Sequence, residues 1–291
     1  MTDMQGKVVV ITGSNIGIGK ETAVGVAALG ATTVLACRNP NKAAAAQAEV
    51  KELANSDDVH VVVIDLADLA SVRTAADEIL SRWDRLDVLV NNAGGIWSER
   101  ETTKQGFEQT FGVNHVGHFL LTNLLLDRMR SSAPSRIVNL TSVGHHWAWR
   151  GLHFDDLQSE KRYSAMDVYG RSKLANLLFT RELAKRLDGT GVTANAAHPG
   201  PIKSGFGMDG DMKGITGLGY RIVRPFQLSP AAGARTSIYL ATSPEVEGKS
   251  GGYYARSRPG HASKQARDDD QARRLWDESE RLIESAGFAV T

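Results

Sequence analysis

An open α/β sheet, doubly wound and mainly parallel, with seven strands and helices on both faces, is the fold the 291-residue sequence predicts. Three observations predict it. Short strand-like runs recur along the chain, and the first, Val8 to Ile11, is fully apolar, as a strand buried on both faces tends to be. Stretches of helical composition separate these runs, so consecutive strands join by right-handed crossovers and lie parallel. The stretches that carry polar chemistry fall at the carboxyl ends of the runs or on the adjoining helices, where such sheets bind ligands. No repeat, linker or low-complexity block divides the chain, so residues 1–291 read as one domain.

Val8, Val9, Val10 and Ile11 make the first apolar run, and residues 20–29 the first helix. Between them stands Thr12-Gly13-Ser14-Asn15-Ile16-Gly17-Ile18-Gly19, a G-x-x-x-G-x-G turn. A strand, a glycine-rich turn and a helix make a phosphate cradle. Gly13 allows the tight turn, Gly17 lets the backbone approach a pyrophosphate at the helix N-terminus, and Gly19 permits close packing. The same glycines would also suit a turn that holds nothing. Residues 33–36 are the second strand, ending in Cys37-Arg38-Asn39. A site for NAD places an acid about 20 residues past the glycines to hold the ribose hydroxyls. Here the region offers Arg38 and no acid. The planar fork of Arg38 can bind a 2′-phosphate that an acid would repel. The expected cofactor is therefore NADP(H), with Ser14 donating a hydroxyl to the same phosphate. The plain alternative is a surface arginine at a strand end. Cys37 reads as a packed small residue rather than a reactive thiol.

Residues 41–54 read as a helix, 59–64 as the third strand, 69–83 as a helix and 87–90 as the fourth strand. Asp65 is placed to bond an adenine amino group while Leu66 packs on the ring; a turn or helix cap is the other reading of Asp65. Asn91-Asn92-Ala93-Gly94 follows the fourth strand. Its small residues would let a cofactor lie close, and Asn91 can bond the backbone of neighbouring strands. Residues 107–129 read as one long helix carrying Asn114. Asn is unfavourable in mid-helix; a function would explain it, and so would a side-chain bond to a nearby turn. Residues 136–140 are the fifth strand, delivering Thr141 and Ser142. Residues 192–197 are the sixth, ending in His198-Pro199-Gly200-Pro201, and residues 251–254 the seventh. The tail, residues 268–286, reads as a helix with acids at its N-terminus, which suits the dipole. Its stripe of Leu275, Trp276, Leu282 and Ile283 docks on the domain or meets a partner subunit.

The chemistry centres on Tyr169-Gly170-Arg171-Ser172-Lys173, which opens an apolar helical run. Residues four apart share a helix face, so the phenol lies a turn from the ammonium. A tyrosine of pKa about 10 is a poor acid–base at neutral pH. A nearby cation is expected to lower that value, and such a tyrosine can pass a proton to or from an alcohol oxygen. Taken alone, the pair also suits an amphipathic surface helix.

Lys and Arg total 34 against 33 Asp and Glu, a net charge of +1 that gives no support for a nucleic-acid or anionic-membrane surface. A single cysteine rules out an internal disulfide and suits a reducing compartment. The N-terminus holds no signal-peptide core. The greasiest segment, residues 119–129, is broken by Thr122, Asn123, Asp127 and Arg128, so no span of a bilayer is expected. The expectation is a cytoplasmic protein with no metal site.

Taken together, Thr12 to Gly19, Asp65-Leu66, Asn91 to Gly94, Asn114, Ser142, Tyr169 with Lys173, and Pro199-Gly200 resemble the short-chain dehydrogenase/reductase family over nearly the whole chain. The resemblance implies a Rossmann-type fold. The nearest branch is retinol dehydrogenase-like, on Ala36-Cys37-Arg38-Asn39, Val113-Asn114-His115-Val116-Gly117-His118-Phe119, residues 135–139, His145-His146, Ser172-Lys173-Leu174-Ala175-Asn176 and Arg274-Leu275-Trp276-Asp277. The resemblance implies hydride transfer between a nicotinamide and a carbinol or carbonyl carbon. Tyr169 would donate and accept the proton, while Lys173 lowers its pKa and bonds the nicotinamide ribose. Ser142 would hold the substrate oxygen, and Asn114 a water in a proton relay. The cofactor would be held by Gly13, Ser14, Asn15, Ile16, Gly17, Ile18 and Gly19, by Arg38, Asn39, Asp65 and Leu66, and by Asn92, Ala93 and Gly94. Tyr169, Lys173, Pro199, Gly200, Ile202 and Ser204 would complete the site. Ser204 stands where relatives often carry a threonine for the nicotinamide carboxamide. Membrane-bound retinol dehydrogenases have an N-terminal hydrophobic anchor that this sequence lacks, which counts against a retinoid substrate.

Two segments are expected to wall the substrate. Residues 143–166 contain His145, His146, Trp147, Trp149, Phe154 and Leu157. The histidines could equally be structural and the tryptophans only cover a core edge. Residues 201–228 hold Gly205, Gly207, Gly210, Gly214, Gly217 and Gly219 with Phe206, Met208, Met212 and Tyr220 among them, which suggests a closing lid. Both are rich in apolar groups, so the expected partner is a bulky apolar aldehyde, ketone or alcohol. Many relatives pair through the helices at residues 107–129 and 165–187, which leaves a homodimer or homotetramer open. A non-catalytic NADP-binding redox sensor or scaffold competes with the enzyme, although Ser142, Tyr169 and Lys173 are all present. Reduction of a ring double bond, as in light-dependent protochlorophyllide reductases, shares the Tyr–Lys pair. The sole cysteine lies at the adenosine end, which counts against that reading.

Overall fold

A computed structural model describes residues 2–200 and 229–290. The expectations for Ile202, Ser204 and the segment 201–228 lie outside the described residues. The strands are β1 (Val8–Thr12), β2 (Thr32–Cys37), β3 (Val59–Val63), β4 (Val88–Asn91), β5 (Ser135–Leu140), β6 (Val192–His198), β7 (Tyr253–Ala255) and β8 (Arg258–Pro259). They form one sheet in the order β3-β2-β1-β4-β5-β6-β7-β8. Every neighbouring pair is parallel except β7 with β8. Among the described residues the sheet has eight strands, which corrects the expected seven. The eighth is two exposed residues long, too short for any periodicity, and its proline sits at a sheet edge, where a missing N–H costs little.

The helices are α1 (Gly17–Ala27), α2 (Pro40–Ala54), α3 (Leu69–Arg82), α4 (Gln109–Phe111), α5 (Gly117–Ser131), α6 (Ala165–Arg186), α7 (Pro230–Thr242) and α8 (Asp269–Ser285). One core lies between the sheet and α1, α2 and α7, built from Val9, Ile11, Leu35, Val90, Ala23 and Leu240. The second lies on the opposite face under α3, α5, α6 and α8, around Val10, Leu89, Phe119, Leu178 and Trp276. Both faces of β1 are therefore covered, and all five of its residues are buried. This is the burial that its unbroken apolar run required.

The single helix expected over residues 107–129 is instead α4, a π-helical turn (Gly112–Val116) and α5. Glycines bound the wide turn and press on neighbours. A Cβ at Gly112 would stand 2.4 Å from Thr103 Cγ2, and one at Gly117 2.6 Å from the Leu66 carbonyl oxygen. The Gly117 N–H donates to the Gly112 carbonyl, five residues back, which is the π spacing. Asn114 sits fully buried inside this turn.

At the C-terminus, Asp268 caps α8 by accepting from the N–H groups of Asp270 and Gln271. Leu275, Trp276 and Ile283 are buried against α5 and α6, so the stripe docks on its own chain. The Trp276 ring lies 4.8 Å from Phe119 and 5.9 Å from Phe179, with the Arg186 guanidinium over it at 4.2 Å.

Candidate active site

The strand order reverses between β1 and β4, and beyond the carboxyl ends of such strands an open α/β sheet places its ligand crevice. The glycine turn closes one side of it. Gly13 adopts φ +64°, and a Cβ would stand 2.9 Å from Ala93 Cα. At Gly19 a Cβ would meet the Gly13 carbonyl oxygen at 2.4 Å and Asn92 Nδ2 at 2.5 Å. The turn thus nests on the Asn92-Ala93 segment, whose amide donates from Asn92 Nδ2 to the carbonyls of Thr12 (2.7 Å) and Gly13 (3.2 Å). Asn91 was expected to make such backbone bonds and does not. As the last β4 residue it points into the sheet's helical layer, where Nδ2 donates to Thr122 Oγ1 at 2.9 Å and Asn139 Oδ1 at 2.8 Å.

Helix α1 begins without a side-chain cap and with no acid in its first turn. Among the described residues nothing bonds its first N–H groups, so these and the positive end of its dipole can serve a ligand. Ile16 is exposed beside them, and the space over Gly17 is open. This cradle fits a nucleotide pyrophosphate, with Asn15 and Ile18 flanking it. Ser14 differs from expectation. Its hydroxyl is buried, donates to the Ile11 carbonyl at 2.8 Å and lies 3.5 Å from Cys37 Sγ, so it is turned away from any phosphate. Burial raises the pKa of the Cys37 thiol, as suits a packed residue. Arg38 is exposed at the end of β2 and has no ion pair or hydrogen bond among the described residues. Asn39 caps α2, accepting from the Lys42 N–H at 3.0 Å. Asp65 Oδ1 accepts from the Ala67 N–H at 3.0 Å, the turn-cap alternative. Leu66, expected on an adenine ring, is instead 6% exposed and packed in the core against Gly117.

The other side of the crevice is made where α6 locks onto β5. Thr141 Oγ1 donates to the Lys173 carbonyl at 2.9 Å, and Asn176 Nδ2 to the Leu140 carbonyl at 2.9 Å. Gly170 permits the contact that matters most. A Cβ there would stand 2.9 Å from the Gly144 carbonyl oxygen and 3.1 Å from Trp147 Cβ. The 3₁₀ turn Val143–Trp147 therefore lies directly on α6, and Ser142, its cap, hydrogen-bonds the Tyr169 phenol. Lys173 Nζ stands 5.6 Å from the centre of the Tyr169 ring. Desolvation dominates both groups. It pushes Tyr169 up to about 12, against the lowering by Ser142, and Lys173 down to about 8. The lowered phenol pKa expected from the i, i+4 spacing is thus corrected: at this distance the ammonium does not offset burial.

Asn114 reaches this assembly from the π-helical turn. Its Nδ2 donates to Ser172 Oγ at 2.9 Å and to the Gly95 carbonyl at 3.0 Å, while Oδ1 accepts from the Gly95 N–H at 2.8 Å. Ser172 Oγ in turn donates to the Tyr169 carbonyl at 2.8 Å. The side-chain amide is thus spent on the protein, tying the loop after β4 to α6. Gly94 lies in the gap: a Cβ there would stand 2.9 Å from Asn114 Oδ1 and 3.2 Å from Lys173 Nζ. Pro199 and Gly200 follow β6, and the Gly200 N–H lies 3.4 Å from His198 Nδ1.

Of the expected apolar wall, Trp147 stands beside the phenol, ring centres 6.2 Å apart, and it is exposed. Trp149 is exposed under the Arg150 guanidinium at 4.5 Å. Phe154 and Leu157 turn the other way: Phe154 lies under the Arg274 guanidinium at 4.1 Å and both pack on the core beside α8. His145 is structural, fixed through Nδ1 to the Ser142 carbonyl at 2.6 Å and through Nε2 to the Ser263 N–H at 3.2 Å. Two residues had no expected role. Buried Arg171 pins the loop to α6, pairing with Asp167 at 3.0 Å and donating to the Asp156 carbonyl at 3.1 Å. The i, i+4 Asp167–Arg171 spacing was its only signal. Trp97 covers Gly95, where a Cβ would meet its ring at 2.6 Å.

Among the described residues, no group of three or more His, Cys, Asp or Glu could hold a metal ion, and no helix is long and apolar enough to cross a membrane. The family model described as short chain dehydrogenase matches residues 7–154. Retinol dehydrogenase 12 of Mus musculus is 45% identical over 278 residues, covering 96% of this chain and 86% of its own. Retinol dehydrogenase 14 of Homo sapiens is 43% identical over 294 residues, covering 96% and 87%. The crystal structure of an uncharacterized protein from Mycobacterium Paratuberculosis superposes with a TM-score of 0.79 at 34% identity, covering 100% of this chain and 97% of that one. A structure from Beutenbergia cavernae, ascribed to an NAD(P) dependent gluconate 5-dehydrogenase with NADP at low occupancy, gives 0.70 at 25% identity, covering 87% and 96%.

Proposed function

The chain belongs to the short-chain dehydrogenase family, and from that premise we propose that it is an NADP(H)-dependent oxidoreductase for a bulky, apolar aldehyde, ketone or alcohol. As a retinol dehydrogenase-like member it acts on CH–OH and C=O groups, and its family uses NAD(P)(H). The observation that carries the reading is the Ser142–Tyr169 hydrogen bond, with Lys173 over the phenol ring, in the crevice shared with the uncapped turn of α1.

The residues present fit a nicotinamide dinucleotide. The amides at residues 13–19 would hold the pyrophosphate, Asn92, Ala93 and Gly94 would line its path, and Lys173 would bond the nicotinamide ribose. When bound, the nicotinamide supplies or accepts the hydride. The chain's own residues manage the oxygen. In reduction the carbonyl oxygen gains negative charge, which the Ser142 hydroxyl stabilises by donating a hydrogen bond. The Tyr169 hydroxyl gives up its proton to that oxygen. Its raised pKa keeps the phenol protonated at neutral pH, ready to donate. The Lys173 ammonium then stabilises the phenolate left behind. Alcohol oxidation runs the same groups in reverse.

NADP(H) is proposed over NAD(H) because Arg38, exposed at the end of β2, has no ion pair or hydrogen bond among the described residues, and the sequence there offers no acid. A structural neighbour that carries NADP supports the choice. The apolar substrate is proposed on Trp147 beside the phenol and on relatives named for retinol. The test is NADPH consumption by purified protein against apolar aldehydes and ketones, all-trans-retinal included, with small charged carbonyls and NADH in parallel. NADPH turnover of the apolar members is expected. Turnover of small charged carbonyls alone would sink the substrate class, and a preference for NADH would sink the reading of Arg38.

A further inference from the structure

Two histidines of the π-helical turn region, His115 and His118, are buried, and neither was assigned a role above. His115 packs among Phe111, Phe119 and Phe179 and reaches Ser279 Oγ at 2.8 Å, which ties the turn to α8. His118 points the other way, into the crevice floor. Its Nε2 lies 2.9 Å from Thr12 Oγ1, and its Nδ1 lies 3.2 Å from the Asn114 carbonyl oxygen. Thr12 is the last residue of β1, just before the glycine turn.

The direction of these bonds follows from counting. Thr12 Oγ1 accepts from two main-chain N–H groups, those of Asn92 at 2.9 Å and Ala93 at 3.0 Å. A hydroxyl has two acceptor lone pairs and one proton, so the proton remains to be placed. The Val90 carbonyl lies at 3.5 Å, at the edge of bonding range, whereas His118 Nε2 is at 2.9 Å. The hydroxyl therefore donates to Nε2. An imidazole that accepts at Nε2 carries its proton on Nδ1 and donates from there, and the Asn114 carbonyl is what it meets.

We propose that His118 is a positioning residue, held as the neutral Nδ1–H tautomer by Thr12, that orients the main-chain carbonyl of Asn114 and joins the nucleotide turn to the Ser172–Tyr169 side of the crevice. It touches neither substrate nor cofactor in this scheme. One chain of bonds runs from the Asn92 and Ala93 amides through Thr12 and His118 to the Asn114 backbone. The Asn114 side chain continues it through Ser172 to Tyr169. Burial and the facing charge of Lys173 both oppose protonation of His118, and His115 is its other titratable neighbour. The role rests on the oxidoreductase reading above, while the tautomer does not.

The test has two parts. In the unliganded protein with ¹⁵N-labelled histidine, the His118 signal, assigned by its loss in His118→Gln, should show the Nδ1–H form from about pH 8 down to about pH 5. Thr12→Val should release that preference. An Nε2–H tautomer in the native protein, or a protonated ring at about pH 6, overturns the proposal whatever the activity. In turnover, His118→Asn keeps a donor where Nδ1 stands, whereas His118→Gln keeps an acceptor where Nε2 stands. The expected split is kcat near the native value for the Asn variant and about tenfold lower for the Gln variant, the worth of one such hydrogen bond, with NADPH affinity within about threefold in both. Equal effects of the two variants overturn the positioning role. Absence of turnover in the native protein would overturn the oxidoreductase reading, and the tautomer result would then decide His118 alone.

Discussion

Tyr169 holds its proton at neutral pH because burial outweighs the hydrogen bond from Ser142. Its work is therefore that of an acid, and removing the hydroxyl should be severe. Ser142→Ala is expected to lower kcat for carbonyl reduction by about 10²–10³, the worth of one donor to a developing oxyanion, with little change in NADPH affinity. Lys173 gives the reaction its pH dependence. Burial lowers its pKa to about 8, so the ammonium is present below that pH and lost above it. Reduction should be level from about pH 6 to 7, fall to about half near pH 8 and decline beyond, which a kcat–pH profile will read. A profile still rising above pH 8 would remove Lys173 from this role. At the nucleotide end, Arg38→Asp should reverse an NADPH preference by at least about tenfold in kcat/KM, as loss of a charged hydrogen bond to a phosphate implies. Single residues were legible in the sequence where spacing alone defines them, as at Tyr169 and Lys173. They were not where rotation about a strand end decides. Asn91 and Asn92 are adjacent and chemically identical, yet one turns to the helical layer and the other to the glycine turn.

Elements carry the geometry that these residues need. The approach of the Val143–Trp147 turn to α6 depends on Gly170, where any Cβ crowds the Gly144 carbonyl. Gly170→Ala should part Ser142 from Tyr169, lowering kcat by about tenfold or more while NADPH affinity stays near the native value. A matched loss of affinity would mean that the whole crevice had moved. The end of β1 could be read from its unbroken apolar run, because burial on both faces leaves no polar position. The π-helical turn could not. Its sequence keeps helical composition throughout, and the cause lies in contacts of Gly112 with Thr103 and of Gly117 with Leu66, which are distant in the chain. The mid-helix asparagine marked the place without revealing its shape. Asn114 spends its amide on Gly95 and Ser172, a structural bond of the kind that competes with a functional explanation.

At the scale of the whole molecule, two cores on opposite faces of the sheet hold the crevice at its middle. The doubly wound architecture was legible because strand and helix patterns alternate. The eighth strand escaped notice for want of length, and the inward turn of Phe154 because α8 arrives from the far end of the chain to cover it. Trp276 is the anchor of that helix, and Trp276→Ala should cost about 3–5 kcal/mol in denaturant unfolding, as loss of a buried aromatic does. Acid should also weaken the fold. Burial depresses His115 to about 3 and His118, His145 and His198 to about 4. Unfolding lets them titrate near 6.5, so the unfolded state binds more protons between the two values and stability falls as pH drops from about 6.5 to 4. His115 and His118, both nearly inaccessible to solvent, should each contribute up to about 1.4 kcal/mol per pH unit in that window.

The central claim is that Tyr169 passes the proton while a nicotinamide exchanges hydride with an apolar carbonyl. Its most direct test is transfer of deuterium from NADPH deuterated at both C4 positions to an apolar aldehyde, measured by mass spectrometry of the alcohol, for native protein and Tyr169→Phe. The account predicts deuterium on the carbinol carbon in the native reaction, and loss of at least about a hundredfold in rate in the variant with NADPH affinity retained. Alcohol formed without deuterium, or a variant that reduces as fast as the native protein, would contradict it.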